Sequence, residues 1–248
     1  EEVYQLAAML SATGEKKPLA AWDLNMKSLL NVLEAAKDGL VKRIFWPSSI
    51  AVFGPSTPKV AVPQAGPLDP TTVYGISKQS GEYWCRYYRE RYGVDIRSIR
   101  YPGLIGHRST PGGGTTDYAV EIYDYAVQEK PFTCFLNADQ VLPMMYMEDA
   151  VRGTIELMAT PAKNINVQSS YNLHGMSFSP AEISESIQQS LPNFQIAYNP
   201  DQRQLIAASW PESINDQAAR SDWGWKPAFN LERLTQTMLT ALRDISAQ

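Results

Sequence analysis

Apolar runs bounded by turn residues alternate with amphipathic stretches through the first two thirds of this 248-residue chain. The alternation is typical of a mostly parallel sheet with helices on both faces. It predicts strands at 3–8, 43–48 and 95–101, and helices at 18–37 and 73–92 between them. The sequence therefore predicts an α/β fold in which the carboxyl ends of several strands meet at one edge.

The pattern becomes irregular after the third strand. Residues 102–115 contain five glycines and two prolines, too many for the interior of a helix or strand, so we expect a mobile loop. A helix near 116–129, a strand at 132–136 and a helix near 147–159 follow.

The last third predicts a smaller C-terminal lobe. Ser179, Pro180 and Glu182 have the spacing of a helix start, with a capping serine, a proline in the first turn and a glutamate three residues after the cap. A final helix is expected from about Leu231.

Composition excludes several classes of function. The net charge is −4 and the basic residues are scattered, so no positive surface is expected to bind nucleic acid. No window approaches the roughly 20 apolar residues that span a bilayer, and the first residues lack a signal-peptide pattern. We therefore expect no nucleic-acid or membrane partner, and a cytoplasmic or organelle-matrix location.

The cysteines and histidines indicate no metal site. Cys85 and Cys134 are far apart, and His107 and His174 are the only histidines, so no zinc-binding or C-x-x-C spacing exists. Both thiols are expected to be reduced core residues.

Four polar residues form the most informative pattern. The predicted strand RIFWPSS ends in Ser48 and Ser49, IAVFG follows, and Tyr74 and Lys78 stand four apart on one face of the next helix. In open parallel sheets, ligands bind at the carboxyl ends of the strands, where the serines lie. The joint pattern resembles the extended short-chain dehydrogenase/reductase superfamily. The resemblance implies a Rossmann-like doubly wound parallel sheet and NAD as cofactor.

Alcohol oxidation explains why these residue types belong together. The reaction needs a base for the hydroxyl proton, and a tyrosine with a pKa near 10 is a poor base unless a positive charge favours its phenolate. Tyr74 is the predicted base, Lys78 supplies the charge and, by resemblance, binds the nicotinamide ribose. Ser49 would orient the substrate oxygen. Ser48 is either a substrate contact or a cap at the strand end.

The resemblance implies further cofactor contacts. Asn25 is either a satisfied core amide or a support of the site through a water and a backbone contact. Leu6, Ala7 and Ala8 could instead be packing residues at the end of the first strand. In addition to Tyr74 and Lys78, the predicted cofactor-binding residues are Leu6, Ala7, Ala8, Asn25, Tyr101 and Leu104.

The glycine-rich phosphate loop of such folds is missing, since only Gly14 precedes Gly39. By resemblance, the first strand corresponds to the fourth strand of the superfamily sheet, which implies about 60 further residues upstream, or two βαβ units. We therefore expect residues 1–105 to be the remainder of an NAD-binding domain. Residues 106–248 would be mainly a substrate-binding lobe, interleaved with the last Rossmann elements.

Several strings resemble the short-chain, zinc-independent L-threonine 3-dehydrogenase family, above all GGGTTDYAVEIY and LPMMYMEDA. Pro143 and Met144 replace the Arg-Asp of many nucleotide-sugar enzymes. The resemblance implies oxidation of L-threonine at C3 to 2-amino-3-ketobutyrate. The predicted substrate-binding residues are Ser11, Ser48, Tyr74, Thr115, Thr116 and Trp210. The threonines could instead cap the next helix, and the tryptophan could be core packing.

The resemblance also implies a homodimer formed through the helices at 18–37 and 73–92, and closure of the 102–115 loop over the substrate. Two other functions remain open from the sequence. One is a nucleotide-sugar epimerase or dehydratase, and the other is a noncatalytic dimerising fragment, suggested by the missing phosphate loop.

Overall fold

The structure is a computed structural model that describes residues 1–246, with only the backbone described for residues 11–13 and 246. The described chain forms nine strands and nine helices. The strands are β1 (Glu2–Tyr4), β2 (Arg43–Ser49), β3 (Asp95–Tyr101), β4 (Gly103–Ile105), β5 (Phe132–Cys134), β6 (Leu142–Tyr146), β7 (Tyr171–Asn172), β8 (Met176–Phe178) and β9 (Ile196–Tyr198). The helices are α1 (Ser11–Lys16), α2 (Pro18–Lys37), α3 (Val73–Tyr92), α4 (Tyr118–Val127), α5 (Met147–Ala159), α6 (Pro180–Gln188), α7 (Gln202–Ser209), α8 (Gln217–Trp223) and α9 (Leu231–Ser246).

A parallel sheet in the order β1-β2-β3-β7 confirms the predicted α/β fold. Its two faces are covered by different helices. Leu29 of α2 and Tyr88 of α3 pack with Trp46 of β2 on one face. Leu157 of α5 and Trp225, which follows α8, pack with Phe45 on the other. The central strands β2 and β3 are therefore covered on both faces, as a doubly wound fold requires, while β1 forms a more exposed edge.

The later strands form two smaller sheets. β6 pairs with β4 in parallel and with β8 antiparallel, while β5 pairs with β9 in parallel. A third core contains residues from α4, α6 and α9 together with Ile50–Val52. That core includes residues from both sides of position 105. The predicted division into domains at 1–105 and 106–248 stays a prediction.

Helix ends agree with their local signals. Prediction and structure coincide for α2, α3 and α5, and the capping box at Ser179 is present. Thr72 caps α3 by accepting a hydrogen bond from the amide of Gly75. At the other end Gly93 has φ of +70°, a left-handed conformation that glycine adopts without strain.

Two predictions of local structure were wrong. The first strand ends at Tyr4 rather than at residue 8, because only residues 2–4 are in register with β2, and one further bond joins the amide of Gln5 to the carbonyl of Phe45. The 102–115 segment is not all loop, since β4 occupies Gly103–Ile105 and pairs with β6. The helix near 116–129 and the strand at 132–136 are shorter than predicted.

Candidate active site

A cavity of about 590 Å³ opens at the carboxyl ends of β1, β2 and β3, the edge where the sequence predicted a ligand. Two parts of its lining differ in structure. We call Ser48, Ser49, Tyr74 and Lys78 the strand-helix wall, because they lie on β2 and α3. We call residues 114–117 the loop wall, because they precede α4.

Close packing of α3 against β2 forms the strand-helix wall. A Cβ on Gly75 would lie 2.1 Å from the carbonyl oxygen of Ala51, and one on Gly81 would lie 2.5 Å from the Trp46 ring. Only glycine permits this approach. It places Tyr74, in the first turn of α3, next to the end of β2.

Tyr74 is partly buried at the cavity surface and interacts with the hydroxyl of Ser49. Burial raises the pKa of Tyr74 to about 12, and the hydrogen bond with Ser49 lowers it less strongly. Lys78 Nζ lies 5.5 Å from the phenol ring centroid, and the effect of its charge on the phenolate stays a prediction. The hydrogen bond with Ser49 thus favours the phenolate.

Lys78 is buried and fixed in place. Its Nζ donates a hydrogen bond to the carbonyl oxygen of Pro47 at 2.5 Å and lies 4.7 Å from the Trp46 ring centroid. Burial lowers the pKa of Lys78 to about 8, and the nearby Cys85 and Glu82 act in the opposite direction. The ammonium is therefore largely charged at neutral pH.

The two serines have different contacts. Ser49 caps the turn at Ile50–Val52, because its Oγ accepts a hydrogen bond from the amide of Ala51. Ser48 donates its hydroxyl proton to the Glu82 carboxylate at 2.6 Å. The capping interaction that the sequence suggested for Ser48 therefore belongs to Ser49.

Asn25 does not line the cavity but connects two segments that do. Its amide group exchanges two hydrogen bonds with the backbone of Met9, at 2.7 and 3.1 Å. Its Nδ2 also donates to Ser77, whose hydroxyl donates to the Tyr74 carbonyl. Asn25 is both a satisfied buried amide and a link between the 5–10 segment and α3.

The loop wall depends on Asp117. One oxygen of its carboxylate accepts hydrogen bonds from the amides of Gly112 and Gly114, at 2.7 and 2.8 Å. The N-cap of α4 is Asp117, so Thr115 and Thr116 do not cap the helix and both line the cavity. Trp210 lines the cavity and also belongs to the third core.

The cavity brings together most of the predicted site residues. Those that line it are Leu6, Ala8, Ser48, Ser49, Tyr74, Lys78, Tyr101, Leu104, Thr115, Thr116 and Trp210. Ala7 lies outside its lining. Ser11 is one of the positions whose side chains are not described. The roles assigned to these residues stay predictions.

Sequence reasoning missed two residues. Glu82 follows Lys78 by four positions and lies on the same face of α3, so the helical repeat that linked Tyr74 to Lys78 also leads to it. Asp117 adjoins Thr116, but no local pattern shows that it binds the glycine amides. Among residues 1–246, no group of three or more His, Cys, Asp or Glu side chains is arranged to hold a metal ion.

The doubly wound sheet and its cavity define a Rossmann-like α/β protein. Residues 1–173 match the NAD dependent epimerase/dehydratase family, and the chain belongs to that family. The prediction of NAD as cofactor is thereby confirmed for the family. No helix within the described part of the chain is long and apolar enough to cross a membrane.

Similar proteins include both uncharacterized and functionally described members. An uncharacterized epimerase/dehydratase of Staphylococcus aureus (strain USA300) is 49% identical, over 98% of this chain and 75% of its own length. The holo form of a GalE-like L-threonine dehydrogenase from Cupriavidus necator is 59% identical with a TM-score of 0.96, over 97% of this chain and 78% of that one. A monomeric L-threonine 3-dehydrogenase from a metagenome database is 51% identical with a TM-score of 0.95, over 99% and 79%.

The cavity fits the nicotinamide end of NAD. Leu6, Ala8 and Leu104 give it an apolar side suited to a flat ring, and the Lys78 ammonium provides hydrogen-bond donors for ribose hydroxyls. Ser49 and Tyr74 add hydroxyl groups to the same lining. One cavity thus offers both an apolar surface for a ring and a proton acceptor for an alcohol.

Proposed function

We propose that the protein oxidises L-threonine at C3 with NAD, giving 2-amino-3-ketobutyrate. The main support is the arrangement of Tyr74, Ser49 and Lys78 at one end of a parallel sheet, in a chain similar to L-threonine dehydrogenases over almost its whole length. Fold alone would not support a substrate, because one fold serves many reactions.

In this proposal Tyr74 accepts the proton of the C3 hydroxyl. Tyr74 reacts as the phenolate, having first released its own proton to water, and Ser49 donates a hydrogen bond that stabilises this phenolate, consistent with its lowering of the Tyr74 pKa. Once Tyr74 has taken the C3 hydroxyl proton, the Ser49 hydroxyl can donate to the substrate oxygen instead and orient it. NAD, when bound, takes up the hydride that leaves C3. Burial raises the pKa of Tyr74 to about 12, so proton transfer to it requires stabilisation of the phenolate within the site.

Lys78 holds the cofactor ribose in this proposal. The contacts with the Pro47 carbonyl and the Trp46 ring keep its ammonium 5.5 Å from the Tyr74 ring centroid. An ammonium has three donors, so Nζ can bind ribose hydroxyls while it keeps the bond to the Pro47 carbonyl. Asn25 supports this side by holding Met9.

The substrate side comprises Ser48, Thr115, Thr116 and Trp210, with Ser11 as a further proposed contact. Thr115 is buried at the cavity edge, and Trp210 is fixed through its carbonyl oxygen, which accepts a hydrogen bond from Lys59 at 3.0 Å. Closure of the loop that contains the threonines would exclude water from the reacting carbon.

We also propose a homodimer formed through α2 and α3. Large apolar side chains are exposed on these helices: Leu19, Trp22, Leu24, Ile76, Tyr83, Trp84, Tyr87 and Tyr92. Trp84, Tyr87 and Tyr92 contact one another through their rings, and a cluster of exposed aromatic side chains is typical of an interaction surface. Because one similar protein is described as monomeric, sedimentation equilibrium of the purified protein is the direct test.

The activity is tested by following NADH absorbance with L-threonine and NAD, with D-threonine as the control for stereochemistry. We expect NADH from L-threonine alone. No NADH, together with a raised melting temperature in a uridine or thymidine diphosphate sugar, would favour an epimerase or dehydratase. A folded dimer with no affinity for NAD would favour a noncatalytic fragment.

A further inference from the structure

A buried ion pair lies directly behind the strand-helix wall. Glu82 is 1% exposed and Arg100 is 4% exposed. The guanidinium donates through Nε to one carboxylate oxygen at 2.8 Å and through Nη2 to the other at 2.7 Å. This bidentate geometry fixes both groups.

Stability alone does not explain the pair. Removing two charges from water costs about as much as their attraction returns, and apolar replacements of similar volume often leave a protein equally stable. The Arg100 guanidinium is held further by Nη1, which donates to the Gln64 carbonyl and to Asn172 Oδ1, each at 3.1 Å. The arrangement fixes the carboxylate rather than simply filling space.

Ser48 connects the cavity to the Glu82–Arg100 pair. Ser48 is the register partner of Arg100 in the β2-β3 ladder, lines the cavity and donates its hydroxyl proton to Glu82. An ion-paired carboxylate has no proton to donate, so Ser48 must be the donor in this bond. The hydroxyl therefore presents only lone pairs to a molecule in the cavity.

We propose that Glu82 is a positioning residue that makes Ser48 a hydrogen-bond acceptor toward the substrate, and that the site thereby selects a protonated amine beside the reacting alcohol. The inference rests on the proposed function. In that function Ser49 and Tyr74 bind the hydroxyl on C3, and the Ser48 hydroxyl, which belongs to the same cavity lining, accepts a hydrogen bond from the ammonium on the neighbouring carbon. A substrate with a carboxylate or carbonyl at that point would meet lone pairs and be rejected.

The test compares the binding of L-threonine and its deamino analogue, (R)-3-hydroxybutanoate, by calorimetry with NAD present. All proteins contain Tyr74→Phe, which prevents turnover during the titration. We expect Ser48→Ala and Glu82→Gln each to reduce the preference for L-threonine by about tenfold or more, the effect of losing a hydrogen bond to a charged group. Because both act on one contact, the double variant should lose no more than either alone.

Ser98→Ala is the matched control, since it removes another buried serine hydroxyl, bonded to Ser170, from the neighbouring strand. It should leave the preference unchanged. If Glu82→Gln does not fold, Glu82→Asp keeps the charge but withdraws it from Ser48, and should also reduce the preference.

The proposal would be overturned if Ser48→Ala lowered the affinity for L-threonine and for (R)-3-hydroxybutanoate equally. So would a further loss when Glu82→Gln is added to Ser48→Ala, because the carboxylate would then act by another route. A protein that binds L-threonine without preference over the analogue contradicts only this inference. A folded protein that binds NAD but neither ligand contradicts the proposed function as well.

Discussion

The two walls of the cavity are held in place by different means. Residues of the strand-helix wall lie on paired strands and a 20-residue helix, backed by a buried ion pair. The loop wall is held chiefly by one carboxylate that binds two glycine amides. The difference separates two tasks, because proton transfer requires fixed geometry whereas substrate entry and release require a segment that moves.

The largest effect is expected from Tyr74→Phe. Loss of the proton acceptor should reduce kcat by about a hundred- to ten-thousandfold, while the fold remains intact. Steady-state NADH formation measures it, and Tyr83→Phe, an exposed tyrosine on the same helix, is the control. Activity within a few-fold of the parent protein would show that the base has been misassigned.

Breaking the buried Glu82–Arg100 ion pair should cause the largest loss of stability. Arg100→Ala leaves the Glu82 carboxylate buried and unpaired, so the free energy of unfolding should fall by about 3–5 kcal/mol. Arg86→Ala, which breaks the exposed pair with Glu90, should change it by less than about 1 kcal/mol. Urea unfolding of both variants makes the comparison, and similar losses would argue against a special role for the buried pair.

Lys78 should make stability depend on pH. Burial lowers the pKa of Lys78 from an unfolded value of 10.5 to about 8 in the folded protein, so between these values the unfolded chain binds more protons. Lys78 therefore destabilises the fold fully below pH 8, and this penalty disappears as the pH rises toward 10.5. Between pH 8 and 10.5, the free energy of unfolding of the parent protein should rise by about 1 kcal/mol per pH unit relative to that of Lys78→Met.

Chemical unfolding across this pH range measures the effect of Lys78. Lys27→Met removes an exposed lysine paired with Asp23. The difference in free energy of unfolding between this variant and the parent protein should not change with pH. A flat difference for Lys78→Met would mean that the folded protein keeps the ammonium charged throughout.

The smallest effect is expected in the loop wall. Asp117→Asn replaces a charged acceptor by a neutral one at the amides of Gly112 and Gly114, a change of about 1 kcal/mol. We expect KM for L-threonine to rise several-fold with kcat nearly unchanged. The control is Asp139→Asn, an exposed loop carboxylate. A large fall in kcat would instead place Asp117 with the chemistry.

Features that depend on local sequence signals could be predicted, whereas features that depend on contacts between distant segments could not. The bounds of α3 were predictable because Thr72, Gly93 and the apolar repeat are local signals. No strand was predicted at 142–146, where β6 contains Pro143 and pairs with β4 and β8 on either side. Proline is unfavourable inside a strand, so no local signal indicates this pairing. The Glu82–Arg100 pair could not be predicted, since it depends on how α3 lies on the sheet.

Both cysteines are buried, Cys85 on the inner face of α3 and Cys134 in β5, and burial raises the pKa of each thiol. Because the thiolate is the reactive form, neither should react with maleimides at neutral pH while the protein is folded. A cysteine introduced at the surface should therefore be the one that a maleimide labels. A fluorophore on Thr110→Cys, an exposed position in the loop, would report its motion without any other cysteine being removed.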